Sequence, residues 1–321
     1  MSDEISEEKT IPAERRVLIP IAAFLLLFLV AVAVIMEHEY LPMAETSPQV
    51  ASAANLQDAF AELKLVAKAA IVVDLKSNKV LYARNQDVQL PLASLAKVAL
   101  ALVVSDALPP DTVITIPRDT APKESAERLA KGERWRARDI IDFTLLSSSN
   151  EGAEILAGAA NNAIRAKYSD APDNFAALWR MNVLARELGL SRTYFLNASG
   201  LDISPTLSGA YGSARDMATL FAYAASEHLS VFGRTAEDGV VLTSANGHSI
   251  ARAFNTNEAQ GQVPGLIMGK TGTTDLAGGN LAVVFDAGLS HPVVAVVLGS
   301  TREGRFSDII QIVSRTREVI R

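Results

Sequence analysis

Runs with strand character lie at both ends of the body of this chain, and runs with helical spacing fill the middle. Ala67 to Asp74 is apolar and β-branched, and the turn-forming pair Ser77-Asn78 leads to a second run, Lys79 to Ala83. Far along the chain Leu266–Lys270, Gly279–Asp286 and Pro292–Gly299 return to a strand pattern, and an amphipathic helix is predicted from Phe306 to Val319. Between them, Val98–Leu108, Ala137–Leu146, Gly152–Arg165, Asn174–Leu188 and Ala214–Ala225 carry apolar residues at helical spacing. Ser213 and Asp216 stand at capping-box spacing, and Asn246-Gly247 marks a hairpin joining Val240–Thr243 to Ser249–Phe254. Leu56 to Leu65 suggests a short amphipathic helix ahead of the first strand. Strands at both ends bury their faces most simply in one shared sheet. The expectation is a single mixed α/β (α+β) unit, its antiparallel sheet uniting N- and C-terminal strands around a helical middle.

Hydrophobic residues make up 49% of the chain, a value inflated by one stretch. Val17 to Met36 holds no charged residue and is bounded by Arg15-Arg16 and Glu37-His38-Glu39, which is long enough for a helix to cross a bilayer. It is longer than the apolar region of a cleaved signal peptide, and no small-residue cleavage site follows it directly. Lys9, Arg15 and Arg16 precede it, whereas Glu37 to Glu62 contains no Lys or Arg, so the positive-inside rule puts the N-terminus in the cytoplasm. The expected order is a cytoplasmic tail (1–16), a transmembrane signal-anchor (17–36), an extracytoplasmic linker (37–66) and a folded body (67–321). A net charge of −6 gives no reason to expect a nucleic-acid partner. Cysteine is absent and the four histidines are scattered, which argues against a disulfide framework, a thiolate metal site or metal catalysis.

Three short clusters carry the chemistry. Ser94 and Lys97 stand three apart in Leu92–Val98, on one face at the start of an apolar helical run, where a lysine of lowered pKa can take the serine proton. Ser148-Ser149-Asn150 separates two helical patterns, and its ordinary reading is a helix end followed by an asparagine N-cap. Lys270-Thr271-Gly272-Thr273 closes the strand that begins at Leu266, and its ordinary reading is a strand end with a glycine turn. Each is weak alone; the three together, in this order, are specific.

In these clusters the sequence resembles the serine penicillin-recognising enzymes, with their S-x-x-K, S-x-N and K-T-G elements, and within them the D-alanyl-D-alanine carboxypeptidases of the low-molecular-mass penicillin-binding group. The similarity extends to AAIVVDLKSNKVLYARNQDVQLPLASLAKV, KGERWRARDIIDFTLLSSSNEGAEILA, ELGLSRTYFLNASGLD, GSARDMATL and NTN…PGLIMGKTGTTDLAG, and spans about residues 67–315. It implies a β-lactamase/transpeptidase-like fold and a substrate peptidoglycan stem peptide ending in D-Ala-D-Ala. It also implies β-lactam antibiotics as covalent inhibitors, and no metal or cofactor. By the same resemblance Ser94 attacks the carbonyl, Lys97 is its base, Ser148 carries a proton to the leaving amine and Asn150 orients Lys97. Lys270, Thr271, Gly272 and Thr273 form the strand that holds the terminal carboxylate, and the charge on Lys270 keeps Lys97 partly neutral. Backbone N–H groups of Ser94 and Thr273 form the oxyanion hole.

The sequence departs from the pattern in three ways. Ser149 replaces a usual glycine, 231–262 matches poorly outside its NTN, and no counterpart of the second domain and C-terminal anchor of many relatives is expected. A D,D-endopeptidase is the nearest rival reading. A β-lactamase lacks support because no E-x-x-x-N segment lies between Asn150 and Lys270, and a non-catalytic wall-binding protein has no need of Lys97.

Overall fold

The valine-rich runs are explained by burial on two sides. A computed structural model describes residues 59–118 and 129–320. Its strands are β1 (Ala69–Asp74), β2 (Lys79–Arg84), β3 (Leu90–Pro91), β4 (Val113–Thr115), β5 (Arg134–Arg136), β6 (Tyr194–Phe195), β7 (Ala210–Gly212), β8 (Gly239–Thr243), β9 (Ile250–Phe254), β10 (Leu266–Thr274), β11 (Gly278–Asp286) and β12 (Pro292–Ser300). Its helices are α1 (Ala96–Ala107), α2 (Ala137–Leu146), α3 (Asn150–Lys167), α4 (Ala176–Glu187), α5 (Ala214–Glu227), α6 (Leu229–Phe232) and α7 (Gly304–Val319).

Five strands form one antiparallel sheet in the order β10-β11-β12-β1-β2, so the first strand pairs with the last, Ala69 opposite Leu298 and Val73 opposite Val294. Side chains alternate between the faces. Ile71, Ala282, Val284, Val294 and Val296 join the core beneath α5 and the helical middle. Ala70, Val72, Leu281, Val283, Val293 and Ala295 face the other way, onto Ile309, Ile312 and Val313 of α7. Both faces are covered, so these strands read as continuous apolar runs instead of alternating ones. At roughly 1.5–3 kcal/mol for each fully buried large aliphatic side chain, this burial is the main force joining the two ends of the body.

The helical middle packs on α1, which is buried from Ala96 to Val104 and is apolar all round there except at Lys97. Ser213 accepts a hydrogen bond from the Asp216 N–H, one half of the predicted capping box. The Asp216 carboxylate turns instead to Arg192 N–H and the Thr193 hydroxyl, fastening the loop before β6. The predicted hairpin is β8–β9, with Gly247 at φ +78° in its turn.

Several boundaries differ from expectation. Packing begins before Ala67: Phe60 and Leu65 are buried, Phe60 lies against Tyr82, and Val66 and Ala67 give their N–H groups to the buried Asp308 carboxylate. Of the short helix expected at Leu56–Leu65, residues 56–58 lie outside the described residues and 60–62 form a turn. Asn150 is the first residue of α3, and its cap is Ser149, whose hydroxyl accepts from Gly152 N–H. The strand expected to end at Lys270 runs on to Thr274 in register with β11, so Thr271 to Thr273 are paired strand at its end and not a glycine turn. The tail, the apolar stretch 17–36 and most of the linker lie outside the described residues, among which no helix is long and apolar enough to cross a membrane.

Candidate active site

Ser94 does not occupy the first turn of an α-helix. It sits in a 3-10 turn, Ala93–Leu95, between β3 and the start of α1. Ala93 is held at φ +49°, a left-handed conformation that costs of order 1–3 kcal/mol and persists only where its surroundings impose it. They do so here. The buried Asn280 of β11 donates to the carbonyls of Pro91 and Leu92, both at 3.0 Å, and accepts from Gly299 N–H at 2.8 Å. The serine turn is thus tied to the central sheet while Ser94 itself stays partly exposed.

Lys97 is wholly buried and donates to Ser94 Oγ at 2.7 Å, Asn150 Oδ1 at 2.8 Å and the Ser199 carbonyl at 2.9 Å. Burial lowers its pKa to about 7, against an opposing pull from Glu154. The Asn150 and Ser199 oxygens can only accept. A neutral amine therefore spends its two N–H groups on them and turns its lone pair to the Ser94 hydroxyl. That is the arrangement of a nucleophile with its base.

Across the cleft, Lys270 donates to Ser148 Oγ at 2.8 Å and to the Thr271 carbonyl at 2.9 Å. Ser148 is held at φ +59°. Lys270 is buried, and its pKa is pushed well down by burial first, then by Lys97 and Arg305. This corrects the expected electrostatics, since burial is what takes Lys97 down, and Lys270 feels Lys97 in turn. The hydroxyls of Thr271 and Thr256 share a hydrogen bond of 2.6 Å, and Thr256 N–H donates to the Leu146 carbonyl at 3.1 Å. Thr256 therefore links β10 to the end of α2, just ahead of Ser148. Gly272 is where β10 meets the serine turn. A Cβ there would stand 2.8 Å from the Leu92 carbonyl oxygen and 3.1 Å from the Ser94 nitrogen.

A model of the peptidase S11, D-alanyl-D-alanine carboxypeptidase, family matches residues 55–302. The chain belongs to this family. Among its relatives, a D-alanyl-D-alanine carboxypeptidase of Mycobacterium tuberculosis is 34% identical over 236 residues, covering 73% of this chain and 75% of that one. A D-alanyl-D-alanine endopeptidase of Pseudomonas aeruginosa is 29% identical over 248 residues, covering 73% and 72%. Penicillin-binding protein D2 of Listeria monocytogenes, solved in its ampicillin-bound form, is similar in fold with a TM-score of 0.66 at 29% identity, covering 79% of this chain and 98% of that one. The mixed α/β architecture with its antiparallel sheet is that of the penicillin-binding, transpeptidase-like fold.

The eight residues singled out in the sequence come together as two linked groups, Ser94–Lys97–Asn150 and Ser148–Lys270 with Thr271 to Thr273 alongside. Four others escaped sequence reasoning. Ser199 contributes only a backbone carbonyl, which leaves no side-chain signature. Its loop turns at Gly200, where φ is +78° and a Cβ would lie 1.9 Å from the Ala93 carbonyl oxygen. Asn280 left a readable trace as a lone amide in an apolar strand. Thr256 lies in the NTN segment, which by itself points to no chemistry. Arg305, on α7, donates to the Gly272 carbonyl at 3.0 Å and to the Thr273 hydroxyl, and burial lowers its pKa to about 10.

Proposed function

We propose that Ser94 is the nucleophile through which this D-alanyl-D-alanine carboxypeptidase removes the terminal D-alanine of peptidoglycan stem peptides. The observation that carries the reading is the 2.7 Å contact between Ser94 Oγ and a buried lysine whose pKa is brought to about 7. Lys97 takes the serine proton as Ser94 attacks the carbonyl between two D-alanines, and Asn150 and the Ser199 carbonyl hold the amine for it. Ser148, kept in place by Lys270, returns a proton to the leaving amine. The N–H groups of Ser94 and Thr273 receive the oxyanion, a role supported by the close approach of β10 to the serine turn at Gly272. Lys270, Thr271 and Thr273 hold the substrate carboxylate, whose charge favours the protonated form of Lys270 against the burial that opposes it, and Arg305 adds a second cation behind Thr273. Water then frees the acyl-enzyme, and β-lactams are held at the same serine as stable acyl adducts. The body stands outside the cytoplasm, anchored by residues 17–36.

The Pseudomonas aeruginosa relative keeps a second reading open, cleavage of crosslinks by the same groups. Digestion of purified peptidoglycan by the full chain in detergent separates the two. Free D-alanine from monomeric stems is the expected product, whereas monomers released from dimers indicate an endopeptidase. Ser94→Ala should abolish both D-alanine release and the penicillin adduct with the protein still folded. An undiminished adduct in intact-mass measurement would remove Ser94 from the mechanism.

A further inference from the structure

The central sheet has two ends, and the reaction occupies one of them. Gly272 meets the serine turn near the end of β10, just before that strand passes into β11. The opposite end is built from the start of β10, the turns 75–78 and 287–291 and the C-terminal end of α7. Its parts are joined: Leu75 N–H donates to the Pro292 carbonyl at 3.0 Å, and Arg317 donates to the Asp286 carbonyl at 3.0 Å. The chain comes into the body on this side, because Arg315, near the end of α7, donates to the Ala59 carbonyl.

Leu289, at the tip of the β11–β12 turn, is 99% exposed, and both it and Ser290 are held at φ +55°. Glycine or asparagine suits such a turn, whereas a leucine there is strained and recovers nothing by burial. Lys76 and Lys79 stand exposed at the neighbouring β1–β2 turn, and neither ammonium has an ion-pair partner among the described residues. The acids of this end are already engaged. Asp74 accepts from Lys76 N–H and the Ser77 hydroxyl, Asp286 accepts from Gly288 N–H and His291 N–H, and Glu318 pairs with Arg315 at 2.7 Å. A chain of net charge −6 thus presents free cations around a bare leucine on the side where its N-terminal tether joins. An apolar tip flanked by cations is suited to the headgroup layer of an anionic membrane.

We infer that this end of the sheet rests on anionic lipid headgroups, with Leu289 entering the acyl boundary and Lys76 and Lys79 meeting the phosphates; the inference rests on anchoring by residues 17–36. Even fully extended, residues 37–58 reach no further than roughly 75 Å. Such a tether holds the body at an effective concentration on the order of millimolar, so weak contacts suffice. With a strand rise of about 3.3 Å per residue, the serine turn would stand roughly 20 Å or more above the lipid, facing the wall. The sequence has no cysteine, so single cysteines report each end separately. Leu289→Cys probes the lipid end, and Ile203→Cys, beside the Asp202 that binds Thr274, probes the active-site end. Each is placed in the full chain, in nanodiscs of phosphatidylcholine with about one-third phosphatidylglycerol, and treated with a neutral, bulky polyethylene-glycol maleimide. The cysteine at 289 should react at least ~threefold more slowly than in the same chain carrying Lys76→Glu and Lys79→Glu, which corresponds to contact for about two-thirds of the time. The cysteine at 203 should react equally in both, and penicillin acylation should not change. Equal reactivity at 289 with and without the two lysines, in protein retained on the nanodisc, overturns the docking alone. Protein that separates from the nanodisc at high salt overturns the anchor, and the docking with it.

Discussion

Lys97 and Lys270 carry the same group in similarly dry surroundings, yet the reaction asks opposite things of them. Lys97 works when neutral, and Lys270 works as a cation paired with a carboxylate. Arginine separates the two roles because a guanidinium pairs with a carboxylate but does not lose its proton. Lys270→Arg should keep part of the acylation rate and lose mainly substrate affinity, whereas Lys97→Arg should acylate slower still by at least ~100-fold. Equal residual rates with one β-lactam would mean that the base has been misassigned. The pH dependence has a definite sign. Below about 7 Lys97 is protonated and cannot accept, so acylation by penicillin should rise with pH through about 7 and then level. A profile flat from roughly pH 5.5 to 8.5, or one rising only near 10, contradicts this. At this scale the reacting side chains were legible because their chemistry requires particular residue types at fixed spacing. Their supports were not. A carbonyl such as that of Ser199 can come from any residue, and Arg305 reaches Thr273 from a helix remote in sequence.

The elements meet at Gly272, where β10 touches the serine turn. Gly272→Ala forces the Leu92 carbonyl or the strand to move, and small displacements of reacting groups are expensive. Acylation should fall at least ~10-fold, with Tm lower by a few degrees, as for ~1 kcal/mol of overpacking. Unchanged acylation kinetics would show that strand and turn are not coupled. The long helices and strands of the body were read correctly from periodicity, but their ends at the site were not. Asn150 has an N-cap composition, yet Ser149 takes the cap and leaves the Asn150 side chain to reach Lys97. The Lys270–Thr273 run looked like a strand end because Gly and Thr suggest a turn, whereas ladder bonds to Leu281, Asn280 and Gly279 carry the strand on.

At the scale of the molecule, the charge asymmetry around residues 17–36 gives a prediction for the intact cell. Protease added to spheroplasts should remove residues 59–320 and leave a membrane-held tail. A soluble product beginning near Ala54 would show cleavage instead of anchoring. The shared sheet was legible from strand patterns at both ends of the body, but its strand order was not, because apolar runs buried on both faces pair equally well in many registers. That order has a consequence for how the protein comes into being. β1 lies between β2 and β12, and Asp308 holds Ala67 across 241 residues of chain. Ser94 and Lys97 leave the ribosome early, but the strand that faces them and the ladder that supports it are made last. A nascent chain therefore carries its nucleophile unarmed through most of its synthesis. Reactivity should therefore arrive late, when the end of the chain closes the sheet, and a chain truncated before β12 is expected to form no penicillin adduct.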